Sequence, residues 1–213
     1  MLPEGALVIT SRVANRDKID LSNLREMKQD LVRAATTLLP EGHLDAMVYS
    51  CTSGTIAMGE SVVIDLIQSA KPNVPVTTPF TGAMAALRCL GLQRITFLTP
   101  YVEEVTAAMR TQIEARGFDV VRTVGMGLSL DSEICRVDAK TLLELAIEID
   151  TPDAQALFIS CTALTTSPVI SAIEAALGKP VVTSNQALTW HALRLAGCND
   201  GSIEHGKLMS LKL

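Results

Sequence analysis

The 213-residue chain predicts an α/β fold with parallel sheets, laid down as two similar halves of which the first lacks its opening strand. Three observations carry that prediction. Short apolar runs alternate with helical periodicities along the chain, the rhythm of β-α-β units. A small turn that follows one such run, Ser50-Cys51-Thr52, returns after another as Ser160-Cys161-Thr162. The apolar residues, 48% of the chain, are mostly Ala, Val, Leu and Ile with 3% aromatics, which suits strands covered by helices on both faces.

Taken in order, Ala6-Leu7-Val8-Ile9-Thr10 reads as a short strand. A helix follows from Leu21 with Leu24, Met27, Leu31, Ala34, Ala35 and Leu38 on one face, capped by Asp20 or Ser22 and ended by Pro40 and Gly42. The strand Ala46 to Tyr49 leads to the Cys51 turn, and a helix runs from about Gly59 to Ala70. Pro75 to Thr78 is a strand, and Gly82 to Leu90 a helix stopped by Gly91. The second half begins with the strand Arg94 to Thr99, the helix Val102 to Arg116 and the strand Asp119 to Val124. A loop from Gly125 to Asp131 precedes the helix Ala139 to Ile149. The strand Ala156 to Ile159 delivers Cys161, Pro168 starts a helix to Leu177, Lys179 to Ser184 closes the sheet, and a last helix carries Leu193 to Gly197.

The halves superpose at nearly one offset. Cys51 and Cys161 lie about 110 positions apart, Val74-Pro75-Val76 and Lys179-Pro180-Val181 about 105, and Leu87 to Gly91 and Leu193 to Gly197 about 106. The repeat exposes one gap: the strand Ile95 to Leu98 and the helix after it have no counterpart in the first half. That half starts at Ala6 to Thr10, the counterpart of Val120 to Val124. One strand with its following loop, on the order of 25 residues, is therefore expected to be missing relative to a full two-unit fold.

The formal net charge of −5 argues against a nucleic-acid groove, which needs a basic stripe and stacking aromatics. The longest uncharged run, Ala154 to Ile173, is broken by Ser160, Thr162, Thr165, Thr166, Ser167 and Pro168, so it reads as strand, turn and helix start, with no membrane partner expected. Met1-Leu2-Pro3-Glu4 opens no signal peptide, and a cytoplasmic location is expected. Five cysteines with no CxxC pair fit neither a disulfide framework nor a zinc site, and His43, His191 and His205 show no ligand spacing; no metal is expected. Cys89, Cys135 and Cys198 read as small buried fillers, Trp190 as core, and Asp17 and Lys18 as solvated residues. Gly125-Met126-Gly127 lacks the third glycine and acidic partner of a dinucleotide fingerprint.

Cys51 and Cys161 stand apart because each occupies the same point of a repeated unit. A thiol of pKa ~8.5 is activated by backbone N–H groups at a helix start. Thr52, Ser53, Gly54 and Thr55 supply amides and hydroxyls that suit a substrate carboxylate, and a glycine lets the backbone approach closely. Two opposed thiols serve proton removal on one face with return on the other, or thiolate addition to a double bond with protonation opposite.

Ser50 to Thr55, Thr99-Pro100-Tyr101, Ser160-Cys161-Thr162 and Lys179 to Ala187 with Trp190 together resemble the aspartate/glutamate racemase superfamily, in the branch of maleate cis-trans isomerase, arylmalonate decarboxylase and the ectoine-utilisation protein A group. The resemblance covers nearly the whole chain. It implies two Rossmann-like halves about a pseudo-twofold axis, residues 1–80 and 81–184, with 185–213 returning to the first half. It also implies a site in the cleft between the halves, no cofactor, and a homo-oligomer. Carried over residue by residue, Cys51 matches the first nucleophile or base and Cys161 the opposing acid or base. Thr52, Ser53 and Thr162 match carboxylate-binding positions, and Tyr101 the active-site tyrosine. Both cysteines together favour an isomerase or racemase of a small carboxylate, since the decarboxylase branch keeps the second one alone. Two departures stand out: the Pro- and Asn-containing segment that holds a carboxylate in the family is absent, and Asp131-Ser132 stands where maleate isomerases carry an asparagine. The expected function is a cofactor-independent isomerase or racemase. The alternatives are an arylmalonate-type decarboxylase, a carboxylate-binding protein without catalysis, and a redox protein joining Cys51 to Cys161.

Overall fold

The computed structural model describes residues 1–201 and 203–213. The first half holds α1 (Leu21–Glu26), α2 (Lys28–Thr37), β1 (Met47–Val48), α3 (Thr52–Met58), α4 (Glu60–Ala70), β2 (Val76–Thr77) and α5 (Pro79–Cys89). The second holds β3 (Arg94–Tyr101), α6 (Glu103–Ala115), β4 (Asp119–Leu128), α7 (Asp131–Ile134), α8 (Ala139–Glu148), β5 (Ala156–Ile159), a 3-10 turn (Ser167–Val169), α9 (Ile170–Leu177) and β6 (Val181–Thr183), and α10 (Ser184–Leu195) follows. All strand pairs are parallel. β1 pairs with β2 in one small sheet, and the larger sheet has the order β4-β3-β5-β6.

The larger sheet forms because its central strands are apolar on both faces. Every residue of β5 and β6 is buried, as is all of β3 except Arg94, with α6 against β3 and β4, and α5, α9 and α10 against β6. Phe97 and Phe158 sit opposite each other in register with ring centroids 5.5 Å apart. Gly178 ends α9 at φ 64°, a left-handed cap that a side chain would strain.

Ala6 to Thr10 does not form the predicted strand. Leu7, Val8 and Ile9 are exposed, at 84%, 59% and 42%, and the segment has no regular structure. The repeat explains why. Its counterpart β4 is an edge strand that pairs with β3, and among the described residues the first half has no strand where β3 would stand. β propensity without a neighbour to supply ladder hydrogen bonds does not make a strand. The predicted helix from Leu21 breaks at Met27, the predicted helix from Gly59 is α4, and the Cys51 turn is itself a helix, α3, separated from α4 by Gly59 at φ 94°.

α10 lies against α5 and the small sheet. Gly82 makes the close approach, since a β-carbon there would sit 2.5 Å from the Ala187 carbonyl oxygen. Thr77 Oγ1 and His191 Nδ1 are 2.7 Å apart at the same contact, so His191 is a packing residue whose burial lowers its pKa. Trp190 is fully buried and donates to the Leu211 carbonyl at 2.8 Å. Cys89 and Cys135 are not fillers: both are exposed, because each lies at the end of a short helix on its solvent side. Asp17 is not merely solvated either; its carboxylate accepts from Ser132 N–H at 2.8 Å and Ser132 Oγ at 2.9 Å, tying the N-terminal segment to α7.

Candidate active site

Two strands of different sheets, β1 and β5, deliver the two cysteine turns. β1 is fixed against β2 by Met47 N–H to Pro75 O (2.8 Å) and Tyr49 N–H to Thr77 O (3.1 Å), and Cys51 follows as the N-cap of α3. Its sulfur accepts from Gly54 N–H at 3.3 Å, and Ser53 Oγ lies 3.7 Å away. Cys161 follows β5, but the repeat breaks here: no helix starts at once, and Cys161 itself is at φ 105°. A non-glycine residue there stores roughly 1–3 kcal/mol of strain that its surroundings must hold. Ala163 N–H donates to the Cys161 sulfur at 3.3 Å, and Asn185 Nδ2 donates to the carbonyls of Thr162 (3.2 Å) and Leu164 (2.9 Å), clamping the turn.

The turns are tied to each other. Thr52 Oγ1 donates to Ser184 Oγ at 2.9 Å, and Cys161 N–H donates to the same oxygen at 3.1 Å. Thr162 Oγ1 donates across to the Ser50 carbonyl at 2.9 Å. Tyr101, 2% exposed at the end of β3, stands beside both turns, where Cys161, Cys51 and Ser53 all act on its hydroxyl. Cys51, Thr52, Ser53, Tyr101, Cys161 and Thr162 are thus gathered at one locus. Their duties differ in detail from the sequence reading. The hydroxyl protons of Thr52 and Thr162 are engaged within the protein and Gly54 N–H is taken by the Cys51 sulfur, which leaves the Thr52 and Ser53 amides as the first-turn donors of α3.

Burial sets the electrostatics. It raises the Cys51 thiol, against the pull of Gly54 N–H, Ser53 and Tyr49 in the other direction. It pushes Cys161 up to about 12, countered by the Tyr101 hydroxyl and the amides of Ala163 and Leu164. Tyr101 is raised well above its ordinary value, chiefly by burial and then by the two thiols, so its hydroxyl remains a donor. Asp131, half-buried at the start of α7, has its carboxyl raised by burial and by Asp17, and its charge acts on Cys51. Asn15 Nδ2 donates to it at 3.0 Å. Among the described residues no three His, Cys, Asp or Glu side chains gather as metal ligands would.

Sequence reasoning missed the linking role of Ser184 and Asn185, although both stand in the segment that carried the resemblance. It also missed Tyr49, whose only signal was a phenol closing an otherwise apolar run two residues before a cysteine.

A buried thiol and a half-buried one with phenol, hydroxyl and amide groups about them, placed where two parallel-sheet units meet, define a class of acid–base and nucleophilic sites. The family model described as arylmalonate decarboxylase matches residues 17–209, and the chain belongs to that family. It is similar to the arylmalonate decarboxylase of Bordetella bronchiseptica, 32% identical over 126 residues, a match covering 58% of this chain and 52% of that protein. The chain therefore matches about half the length of that relative. A maleate isomerase of Geobacillus stearothermophilus is 22% identical over 219 residues, covering 97% of this chain and 87% of that protein. Among solved structures, a Cys-to-Ser mutant of the maleate cis-trans isomerase of Nocardia farcinica with a covalently bound succinylcysteine intermediate superposes with a TM-score of 0.84 at 18% identity, covering 91% of this chain and 82% of that one.

Proposed function

We propose that the chain is an isomerase of the maleate isomerase type, acting on a small unsaturated dicarboxylate through Cys51 and Cys161 with no cofactor. The reading rests above all on the joining of the two thiol turns through Ser184, with Tyr101 reaching both. In the reaction the Cys51 thiolate adds to one alkene carbon, forming a C–S bond, while Cys161 gives its proton to the neighbouring carbon. The former double bond is now single and rotates. Cys161 then takes the proton back, the C–S bond breaks, and the Cys51 thiolate leaves the alkene in the opposite geometry. Ser53 and the first-turn amides of α3 hold carboxylate oxygens, with Thr52 and Thr162 shaping that turn, and Tyr101 holds Cys161 and supports its anion. Residues 1–80 and 81–184 act as the two halves that supply one thiol each, with 185–213 returning to the first. Free thiols fit a reducing cytoplasm, and the exposed row Leu7, Val8 and Ile9 offers apolar surface for a homo-oligomer of this chain.

The test is proton NMR of maleate incubated with the protein in deuterated buffer. Conversion to the trans isomer is expected, and Cys51→Ala and Cys161→Ala should each abolish it. Full turnover in either variant would sink the two-thiol mechanism. The family model and the 32% relative favour a second reading, decarboxylation of a substituted malonate with Cys161 as the proton donor; carbon dioxide release from phenylmalonate without maleate turnover would establish it instead.

A further inference from the structure

Resting on the two-thiol reading, a further feature concerns how Cys51 becomes a thiolate in a buried site. Its partner Cys161 has Tyr101 beside it, delivered by β3. Among the described residues the first half has no strand at the equivalent place. Two residues before Cys161 stands the fully buried Ile159, but two residues before Cys51 stands Tyr49. Tyr49 is 5% exposed, and its backbone is pinned to β2. Its hydroxyl donates to Met27 Sδ, a weak acceptor, at 3.3 Å, and it stands close enough to Cys51 for each group to act on the other's ionisation. Gly54 makes room for the pair: a β-carbon there would fall 2.5 Å from the Tyr49 hydroxyl oxygen and 3.0 Å from the Cys51 sulfur. With glycine in place, that shared space is left to the phenol and the thiol.

We propose that Tyr49 is a positioning residue for Cys51, its hydroxyl turning from Met27 Sδ to donate to the sulfur and stabilise the thiolate, in the place that Tyr101 takes beside Cys161 from a different strand. Each thiol thus has one phenol beside it, Tyr49 from the cysteine's own strand and Tyr101 from β3. A hydrogen bond to a charged acceptor is stronger than one to a neutral acceptor, so the phenol favours the ionised sulfur. Tyr49 stays protonated in this role, because burial raises its own ionisation first and the neighbouring sulfur adds to that.

The experiment compares the full-length wild type with Tyr49→Phe, which keeps the ring packed and removes the hydroxyl. Alkylation of Cys51 by iodoacetamide is followed across pH by peptide mass spectrometry, which separates it from the exposed Cys89 and Cys135. The expected result is a Cys51 profile moved about one unit to higher pH, and alkylation at pH 7 slowed roughly tenfold, with the Cys161 profile unmoved. Gly54→Ala, which places a methyl between phenol and sulfur, should give a similar shift that does not add to that of Tyr49→Phe. An unchanged Cys51 profile in folded Tyr49→Phe overturns the proposal, as does lost turnover with an unmoved profile, which marks a purely structural residue. Because alkylation needs no substrate, failure of the isomerase reading is seen separately, as absence of maleate turnover in the wild type.

Discussion

Replacing Ser184 by alanine removes the oxygen on which the two thiol turns converge. Two buried donors lose their acceptor: Thr52 Oγ1, in a fully buried residue, at 2.9 Å, and the backbone N–H of Cys161, 4% exposed, at 3.1 Å. Each buried donor left without a partner costs about 1–3 kcal/mol. Part of that is returned, because Cys161 is held at φ 105° and relaxes once its N–H is released, recovering up to the roughly 1–3 kcal/mol stored there. The net loss of stability is therefore about 1–3 kcal/mol, while the loss in turnover is proportionately greater. Relaxation moves the Cys161 sulfur away from Tyr101 and from the substrate carbon it must protonate, and a misplacement of about 1 Å costs on the order of 100-fold. Urea unfolding and maleate turnover measured on the same samples test both parts. Ser184→Thr, which keeps a hydroxyl, should recover most of the stability. If Ser184→Ala changes stability by less than about 0.5 kcal/mol and leaves turnover intact, the bridge does not hold the site and the argument from it fails.

Three further outcomes follow from the same geometry. Stability should fall between about pH 9 and 12: burial raises the folded Cys161 thiol above its ordinary value of 9.0 to about 12, so the folded state holds the proton longer than the unfolded chain, and its contribution, complete below pH 9, is lost as pH rises through 12. Urea midpoints at pH 8, 9.5 and 11 should decline more steeply in the wild type than in Cys161→Ala, and parallel declines would refute this. Asp131→Asn removes a carboxylate that acts on Cys51 and keeps an acceptor for Asn15, so Cys51 should alkylate faster and KM for a dicarboxylate should fall by roughly two- to fivefold; an unchanged KM would place Asp131 outside the substrate's reach. Gly82→Ala should destabilise by about 2 kcal/mol or more, since the new methyl meets the Ala187 backbone at 2.5 and 2.9 Å and neither helix has a flexible side chain to move aside; an unchanged thermal midpoint would show that α5 and α10 separate freely.

The elements legible in the sequence are those whose pattern is local. β5 and β6 are short runs apolar on both faces, and α10 carries the Thr183 and Gln186 capping box. Ala6 to Thr10 has the composition of a strand and was misread, because a strand is completed by its neighbour and composition is silent about the neighbour. The helix before Gly59 is also hidden. Thr52 to Thr55 reads as a turn of small residues, yet it is the first turn of α3, stabilised by the Cys51 sulfur and by Thr55 Oγ1 donating to the Cys51 carbonyl at 2.7 Å.

The same division holds at the site, and it explains how the two cysteines come to differ. The repeat found them because evolution of a two-unit fold leaves equal residues at equal offsets. It could not find what distinguishes them, since that depends on which strand lies alongside each. Cys51 caps a helix in relaxed extended backbone, whereas Cys161 is held at positive φ by Ser184, Asn185 and Ala163. The phenol beside Cys161 comes from β3, and the one beside Cys51 from the residue two before it. One thiol is therefore set in a helix start with amide donors, the disposition of a nucleophile. The other is strained, more deeply buried and raised to about 12, which keeps it protonated and suits it to giving a proton. Unequal settings at equal positions are what an addition to one carbon with protonation of the next requires, because two identical thiols would compete for the same role.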